Sequence, residues 1–276
     1  MSHISINIQT NLIAPLIGKS HFNKAVDSFI KILNINTNNT TNMYGETNHL
    51  DSFLDTYIEK LHIQHENVKD VRRALDSSRL EGLSLRRLEK LKKHIICSFG
   101  KKHEKTIINK YKENYKLNEM QDIKKFCSKT IFKCKHFDIV INGSPDYIAL
   151  LENQTEHTII EIKNRIHSLS TSLKECDYIQ LQIYLNLFDI QNGKLIEGLI
   201  ADKNDIQLNI FDVQKNEQEY KDICNKLVLP SILLYKLITN KDMRAYFYSL
   251  DKIEKNNYIS NNLEIINKLL HDTDIN

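Results

Sequence analysis

Hydrophobic residues recur at helical spacing along most of this chain, and the pattern shortens to a strand-like period only in the middle. Between Asn11 and Asn34, the positions Leu12, Leu16, Phe22, Ala25, Phe29 and Ile32 predict a helical entry. The run "NINTNNTTNMYGETNH" at 34–49 predicts a polar loop, because Asn and Thr side chains compete with the backbone for its hydrogen bonds. Helical periodicity returns over Leu50–His65, Val68–Ser77 and Leu83–Tyr115. A β-rich section follows from about Ser128 to Lys163, then a helix over Lys174–Asp189 and two strands in "NGKLIEGLIA" and "IQLNIFDV". From Glu217 onward the chain is helical again, with Leu227, Ile232, Leu233, Leu237 and Ile238 on the core side. That order predicts an α/β fold with a mixed central sheet flanked by helices.

Composition narrows the picture. A chain of 276 residues can bury a full core, and three prolines with seven glycines leave little room for linkers. The expectation is one domain over 1–276, with a helical N-terminal part at 1–99, a core at 100–213 and C-terminal helices at 214–276. The five cysteines are an odd number without a CxxC pair, which fits reduced thiols and an intracellular, cytoplasmic setting. No apolar run approaches the roughly 18 residues of a membrane span, so no membrane partner is expected. The net charge of +3 argues for no partner, but its distribution does. From Arg79 to Lys116 there are twelve cations against four acids, a local excess of eight.

Candidate chemistry lies in "NGSPDYIALLENQTEHTIIEIKNR", residues 142–165. Tyr147–Leu151 and Thr158–Ile162 read as the two strands of a hairpin around a polar connection. Side chains alternate along a strand, so Glu161 and Lys163 share one face while Ile160 and Ile162 share the other. Phosphodiester hydrolysis uses a hard cation to bind phosphate oxygen and to lower the pKa of a water. Magnesium needs only one or two carboxylates, so Asp146 and Glu161 suffice as anchors, with the Ile162 carbonyl as a further ligand. Lys163 on the same face would orient the water or stabilise developing charge. The bland alternative is a solvated Glu/Lys pair beside a Pro-Asp turn.

Two flanking segments add weight to the metal reading. "FGKKHEKTIINKY" sets Gly100, Glu104 and Tyr111 on a basic helix, and "DYIQLQIYLNLF" sets Gln180 and Tyr184 on one helix face. In this order and at these intervals, Gly-x3-Glu, Ser-Pro-Asp, Glu-Ile-Lys and Tyr-x-Gln-x-Gln-x-Tyr resemble the phage lambda-type exonuclease family (YqaJ-like viral recombinases) of the PD-(D/E)xK nuclease superfamily. The motifs span Gly100 to Tyr184, and the following strands continue the pattern to about Val213. "TNLIAPLIGKSHF" is a weaker echo in which only Thr10 and Gly18 match, and the arginine that some members use near a 5′ phosphate has no counterpart.

The resemblance implies a restriction-endonuclease-like core and Mg²⁺-dependent DNA hydrolysis, with Mn²⁺ as a substitute. It implies two ions, one on Asp146, Glu161 and the Ile162 carbonyl, the other aided by Glu104 and Asp146. Lys163 would assist the water and Gln180 would support the site. DNA contacts would come from Thr10, Arg86, Lys92, Lys93, Lys101, Lys102, Lys105 and Tyr184. The implied partners are double-stranded DNA ends digested from the 5′ side, a single-strand annealing protein and further copies in a homo-oligomer. An endonuclease on the same core, or a silent DNA-binding protein, remains the alternative reading; intact Asp146, Glu161 and Lys163 speak against the silent one.

Overall fold

The computed structural model describes residues 3–20, 25–37, 67–77, 85–115, 126–150, 155–202 and 205–273. The expected helix at Leu50–His65, most of the polar loop at 34–49 and the tip of the hairpin at 151–154 lie outside the described residues. So do the side chains of Arg86, Lys93 and Lys101.

The N-terminal expectation needs correction. Ile4–Gln9 is a strand, β1, whose Ile6 and Ile8 are fully buried while Ser5 and Gln9 are exposed. A 3-10 turn at Thr10–Leu12 leads into one helical turn, α1 (Ile13–Leu16). Gly18 ends it at φ 76°, with its amide bonded to the Pro15 carbonyl and the Lys19 amide to the Ala14 carbonyl. These paired bonds around a left-handed glycine are a Schellman stop, so the helical spacing from Leu12 to Ile32 spans two separate elements. The second is α2 (Ala25–Asn36).

The remaining elements follow the hydrophobic pattern closely. Helices α3 (Val68–Ser77) and α4 (Leu85–Tyr115) precede the strands β2 (Cys127–Lys133), β3 (Phe137–Gly143), β4 (Tyr147–Leu150) and β5 (His157–Arg165). Helix α5 (Glu175–Phe188), strands β6 (Asn192–Asp202) and β7 (Asp205–Gln214), and helices α6 (Glu217–Thr239), α7 (Lys241–Ser249) and α8 (Lys252–Thr273) complete the order.

The fold is α/β with mixed sheets flanked by helices, and the expected central sheet is divided in two. One sheet has the order β1-β3-β2, with β1 parallel and β2 antiparallel to β3. The other has the order β4-β5-β6-β7, with β5 and β6 parallel and the outer pairs antiparallel. The parallel pair is joined through α5, and both faces of this sheet are covered. Ile160, Ile162 and Ile196 pack with Ile95, Phe99 and Ile107 of α4 on one face. Ile148, Ile159 and Leu195 pack with Leu181, Tyr184 and Leu185 of α5 on the other. The far side of α5 (Ile179, Ile183, Leu187) joins Ile139, Ile141 and the terminal helices. A helix apolar nearly all round must be buried, and α5 sits between the two sheets for that reason. Among the described residues no helix is long and apolar enough to cross a membrane.

Candidate active site

The hairpin register positions the two carboxylates. Tyr147 pairs with Ile160 and Ile148 with Ile159, so one further step sets Asp146 opposite Glu161, on the face that α5 covers. Pro145 has no N–H to continue the ladder. Past that point the Ile162 amide is taken up by a side chain: Asp146 Oδ2 accepts it at 2.7 Å. The amide and carbonyl of one strand residue point to the same edge, so the Ile162 carbonyl is aimed toward Asp146 as well.

Glu161 and Lys163 lie on the α5 face, as the alternation predicts. Lys163 Nζ donates to Glu161 Oε1 at 2.7 Å and to Gln180 Oε1 at 3.1 Å. Gln180 Nε2 in turn donates to Glu161 Oε1 at 2.8 Å and to the Tyr184 hydroxyl at 3.1 Å. Gln180 and Tyr184 are four residues apart, on one face of α5. Glu161 Oε2 is buried and has no hydrogen-bond partner among the described residues.

Electrostatics sharpen the picture. Burial pushes the Glu161 carboxyl up to about 7; Lys163 opposes this and Asp146 adds to it. Burial also raises Asp146, against the Ile162 amide and Lys163, and Glu104 raises it further. Glu104 therefore lies within electrostatic reach of Asp146 from the opposite side of the sheet. Burial works to lower Lys163, yet Glu161, Asp177 and Asp146 outweigh it, and the net shift is upward. Burial and the Glu161 charge raise Tyr184, so its phenol keeps its proton.

These residues open into one cleft of about 640 Å³. Asp146, Glu161, Lys163, Gln180, Tyr184 and Thr10 all line it. Thr10 is buried, and its hydroxyl donates to the Asn142 carbonyl at 2.8 Å. Lys92, Lys102 and Lys105 of α4 are not among the lining residues; Lys92 is half-buried, Lys102 and Lys105 are exposed. The expected basic track thus runs outside the cleft, where described.

Do the residues fit a divalent cation? Among the described residues no group of three or more His, Cys, Asp or Glu converges as a metal cage. A magnesium site does not require one, since it keeps water and phosphate in most of its shell. Two facing carboxylates, one with a buried oxygen that nothing satisfies, form a hard-oxygen donor set that a cation would complete. The residues fit.

Sequence reasoning missed the opposite wall and the brace behind the site. The wall is carried by Asn7 and Gln9 of β1 and Asn142 of β3. Asn142 Nδ2 donates to Asn7 Oδ1 at 3.1 Å, and Asn36 Oδ1 accepts the Asn7 amide at 2.7 Å. The alternating Ile4, Ile6 and Ile8 was the signal for that strand. The brace is Arg165, which donates to Asp177 Oδ2 at 2.6 Å and through Nε to Glu197 Oε1 at 2.7 Å. Glu197 is fully buried and also accepts the Ser170 amide at 2.7 Å and hydroxyl at 2.9 Å.

No protein-family pattern matches the chain, and no curated protein matches it by sequence. Solved structures are similar in fold. An alkaline exonuclease from Laribacter hongkongensis aligns at 11% identity over 87% of this chain and 93% of its own, with a TM-score of 0.47. A phage-related exonuclease from Haemophilus somnus aligns at 12% identity over 88% of this chain and 97% of its own, also with a TM-score of 0.47.

Proposed function

We propose that this protein is a Mg²⁺-dependent deoxyribonuclease, with Mn²⁺ as a substitute, acting as an exonuclease on the ends of linear duplex DNA. The observation that carries the reading is the unpartnered buried oxygen of Glu161, facing Asp146 and held beside Lys163 and Gln180. Asp146, Glu161 and the Ile162 carbonyl would hold one ion, and Glu104 with Asp146 would help to hold a second. Bound there, divalent cations neutralise phosphate oxygens and lower the pKa of the attacking water.

The chain's own residues do the rest. Lys163 keeps its proton, so it serves as a hydrogen-bond donor to developing charge and not as a base. An ammonium has three donors; two go to Glu161 and Gln180, which leaves one for the cleft. Gln180 bridges Glu161, Lys163 and Tyr184, so it fixes the rotamers on which the site depends. Arg86, Lys92, Lys93, Lys101, Lys102 and Lys105 would bind phosphates sequence-independently.

Digestion from 5′ to 3′ inside the cell, in recombination, repair or replication, is the finer reading. A single-strand annealing protein and a homo-oligomer would be its partners. The motif order from Gly100 to Tyr184 supports it. The test is a time course on end-labelled linear duplex and covalently closed circular DNA, with Mg²⁺, Mn²⁺ or EDTA and with Lys163→Ala as control. Metal-dependent loss of linear DNA alone, starting at the 5′ label and absent in the variant, is expected. Cleavage of the circle would replace the exonuclease reading with an endonuclease, and no metal-dependent cleavage of either form would overturn both.

A further inference from the structure

The cleft has two unlike walls. One carries Asp146, Glu161 and Lys163, which are the charged residues among those described as lining it. Lys163, the cation of that set, is already bonded to Glu161 and Gln180. The other wall is neutral: Asn7, Gln9, Asn11 and Asn142 bring amides to it, and Phe126 and Ile35 stand at the mouth. Phe126 is 71% exposed, the side chain of Ile35 is 38% exposed, and Gln9 and Asn11 are exposed too. The wall is held in place. Thr10 and Asn7 bond Asn142, and Asn36 bonds both the amide and the carbonyl of Asn7, at 2.7 and 2.9 Å. A methyl on Gly143 would stand 2.6 Å from Thr10 Oγ1 and 2.8 Å from Tyr184 Cε1, so the wall is packed directly against α5.

Each feature selects a ligand chemistry. A terminal phosphate carries up to two negative charges, and the described lining sets against it a single cation, Lys163, with one donor left after Glu161 and Gln180. Neutral amides offer donors and acceptors together, which suits the edges of a base and the oxygens of a sugar. An exposed aromatic ring offers a stacking platform that tolerates any base.

We propose that this wall is a nucleoside subsite: the end base of a strand stacks on Phe126, and the amides of Asn7, Gln9 and Asn142 bond its edge or sugar. A strand end is then recognised through its nucleoside and not through a 5′ phosphate. The inference rests on the nuclease reading of the same cleft and adds the specificity of its entrance.

The chain contains no tryptophan, so Phe126→Trp creates a single fluorescent reporter at an exposed position. The probes are single-stranded octathymidylates with a 5′ hydroxyl, a 5′ phosphate or a 5′ abasic residue, in EDTA to prevent cleavage. Binding is followed by anisotropy of a 3′ dye and stacking by tryptophan quenching. The subsite predicts strong quenching by both thymidine-ended probes, affinities for hydroxyl and phosphate ends within about twofold, and at least a fivefold loss of quenching with the abasic end. Phe126→Ala should weaken the thymidine-ended probe by about fivefold or more and leave the abasic one unchanged. Binding without quenching, or a preference of about tenfold for the phosphate, overturns the subsite and leaves the nuclease reading standing. No binding of any probe likewise overturns the subsite, while the nuclease reading stands or falls on the metal-dependent cleavage of duplex DNA.

Discussion

Lys163 Nζ lies 2.7 Å from Glu161 Oε1, two residues along the same strand, and the contact joins two groups that burial alone would drive toward neutrality. If the pair serves hydrolysis, each member should be dispensable for binding and not for turnover. Glu161→Gln, Asp146→Asn and Lys163→Met should each lower single-turnover cleavage by about 10²–10³-fold or more, the scale of losing one preorganised charge or donor. DNA affinity in EDTA should change by less than about twofold, because phosphate contacts elsewhere dominate it. Full turnover in any of the three would remove that residue from the site.

The pH dependence of stability follows from the same burial. Glu161 is raised from 4.5 to about 7 in the folded chain, so the native state binds a proton that the unfolded state has released between those values. Its contribution to stability is fully present below about pH 4.5 and is lost as pH rises through 7. The loss is at most about 3 kcal/mol. In EDTA, the melting temperature of Glu161→Gln should therefore gain on the wild type as pH goes from 5 to 8, and Mg²⁺ should narrow the gap by stabilising the wild-type carboxylate. A gap independent of pH would show that burial does not tune Glu161.

How much of this was legible in the sequence depends on how far apart the cooperating residues lie. Asp146, Glu161 and Lys163 occupy one hairpin, so period-two alternation alone puts them on one face, and the helical period places Gln180 and Tyr184 together. The wall formed by Asn7, Thr10 and Asn142 depends on the parallel pairing of β1 with β3, with well over a hundred residues between them. No local pattern specifies that pairing. The helical reading of the N-terminus failed because apolar spacing continued across a stop at Gly18, whose left-handed backbone ends α1. The Arg165 brace was hidden for a related reason: its partners sit on α5 and β6, and a charge in a strand reads as solvent-facing until both faces are known to be covered.

That brace makes a stability prediction. Arg165 is mostly buried between Asp177 and the fully buried Glu197, so Arg165→Met leaves two carboxylates uncompensated. The expected cost is about 3–5 kcal/mol. Deleting Lys252, whose pair with Asp27 is about half exposed on both sides, should stay within about 0.5 kcal/mol. Urea unfolding of both variants checks the contrast, and Arg165→Met with Glu197→Met together should recover part of the loss. Equal, small effects would mean the cluster is hydrated in solution.

Gly143 is placed where β3 meets α5, and its missing side chain allows the neutral wall to touch Tyr184. Gly143→Ala should destabilise the protein by about 1–3 kcal/mol through overpacking. Because Thr10 Oγ1 is the nearest obstacle, Thr10→Ala combined with it should cost less than the two single changes added together. Strict additivity in thermal unfolding would place the strain elsewhere.

The last prediction concerns α4, the helix that carries Glu104 toward Asp146 on the far side of the sheet. Lys102 and Lys105 flank Glu104 in sequence and are exposed, so they are free to track a phosphate backbone that passes the cleft without lining it. Each phosphate contact contributes about 0.9 to the slope of log K against log salt on duplex DNA. Lys102→Ala with Lys105→Ala should therefore reduce that slope by nearly two, measured by titration between low and physiological salt with the Glu161→Gln background to prevent cleavage. The effect should be the same on any sequence, because a phosphate contact carries no base information. An unchanged slope would take α4 off the DNA path and leave Glu104 as a purely electrostatic neighbour of the site.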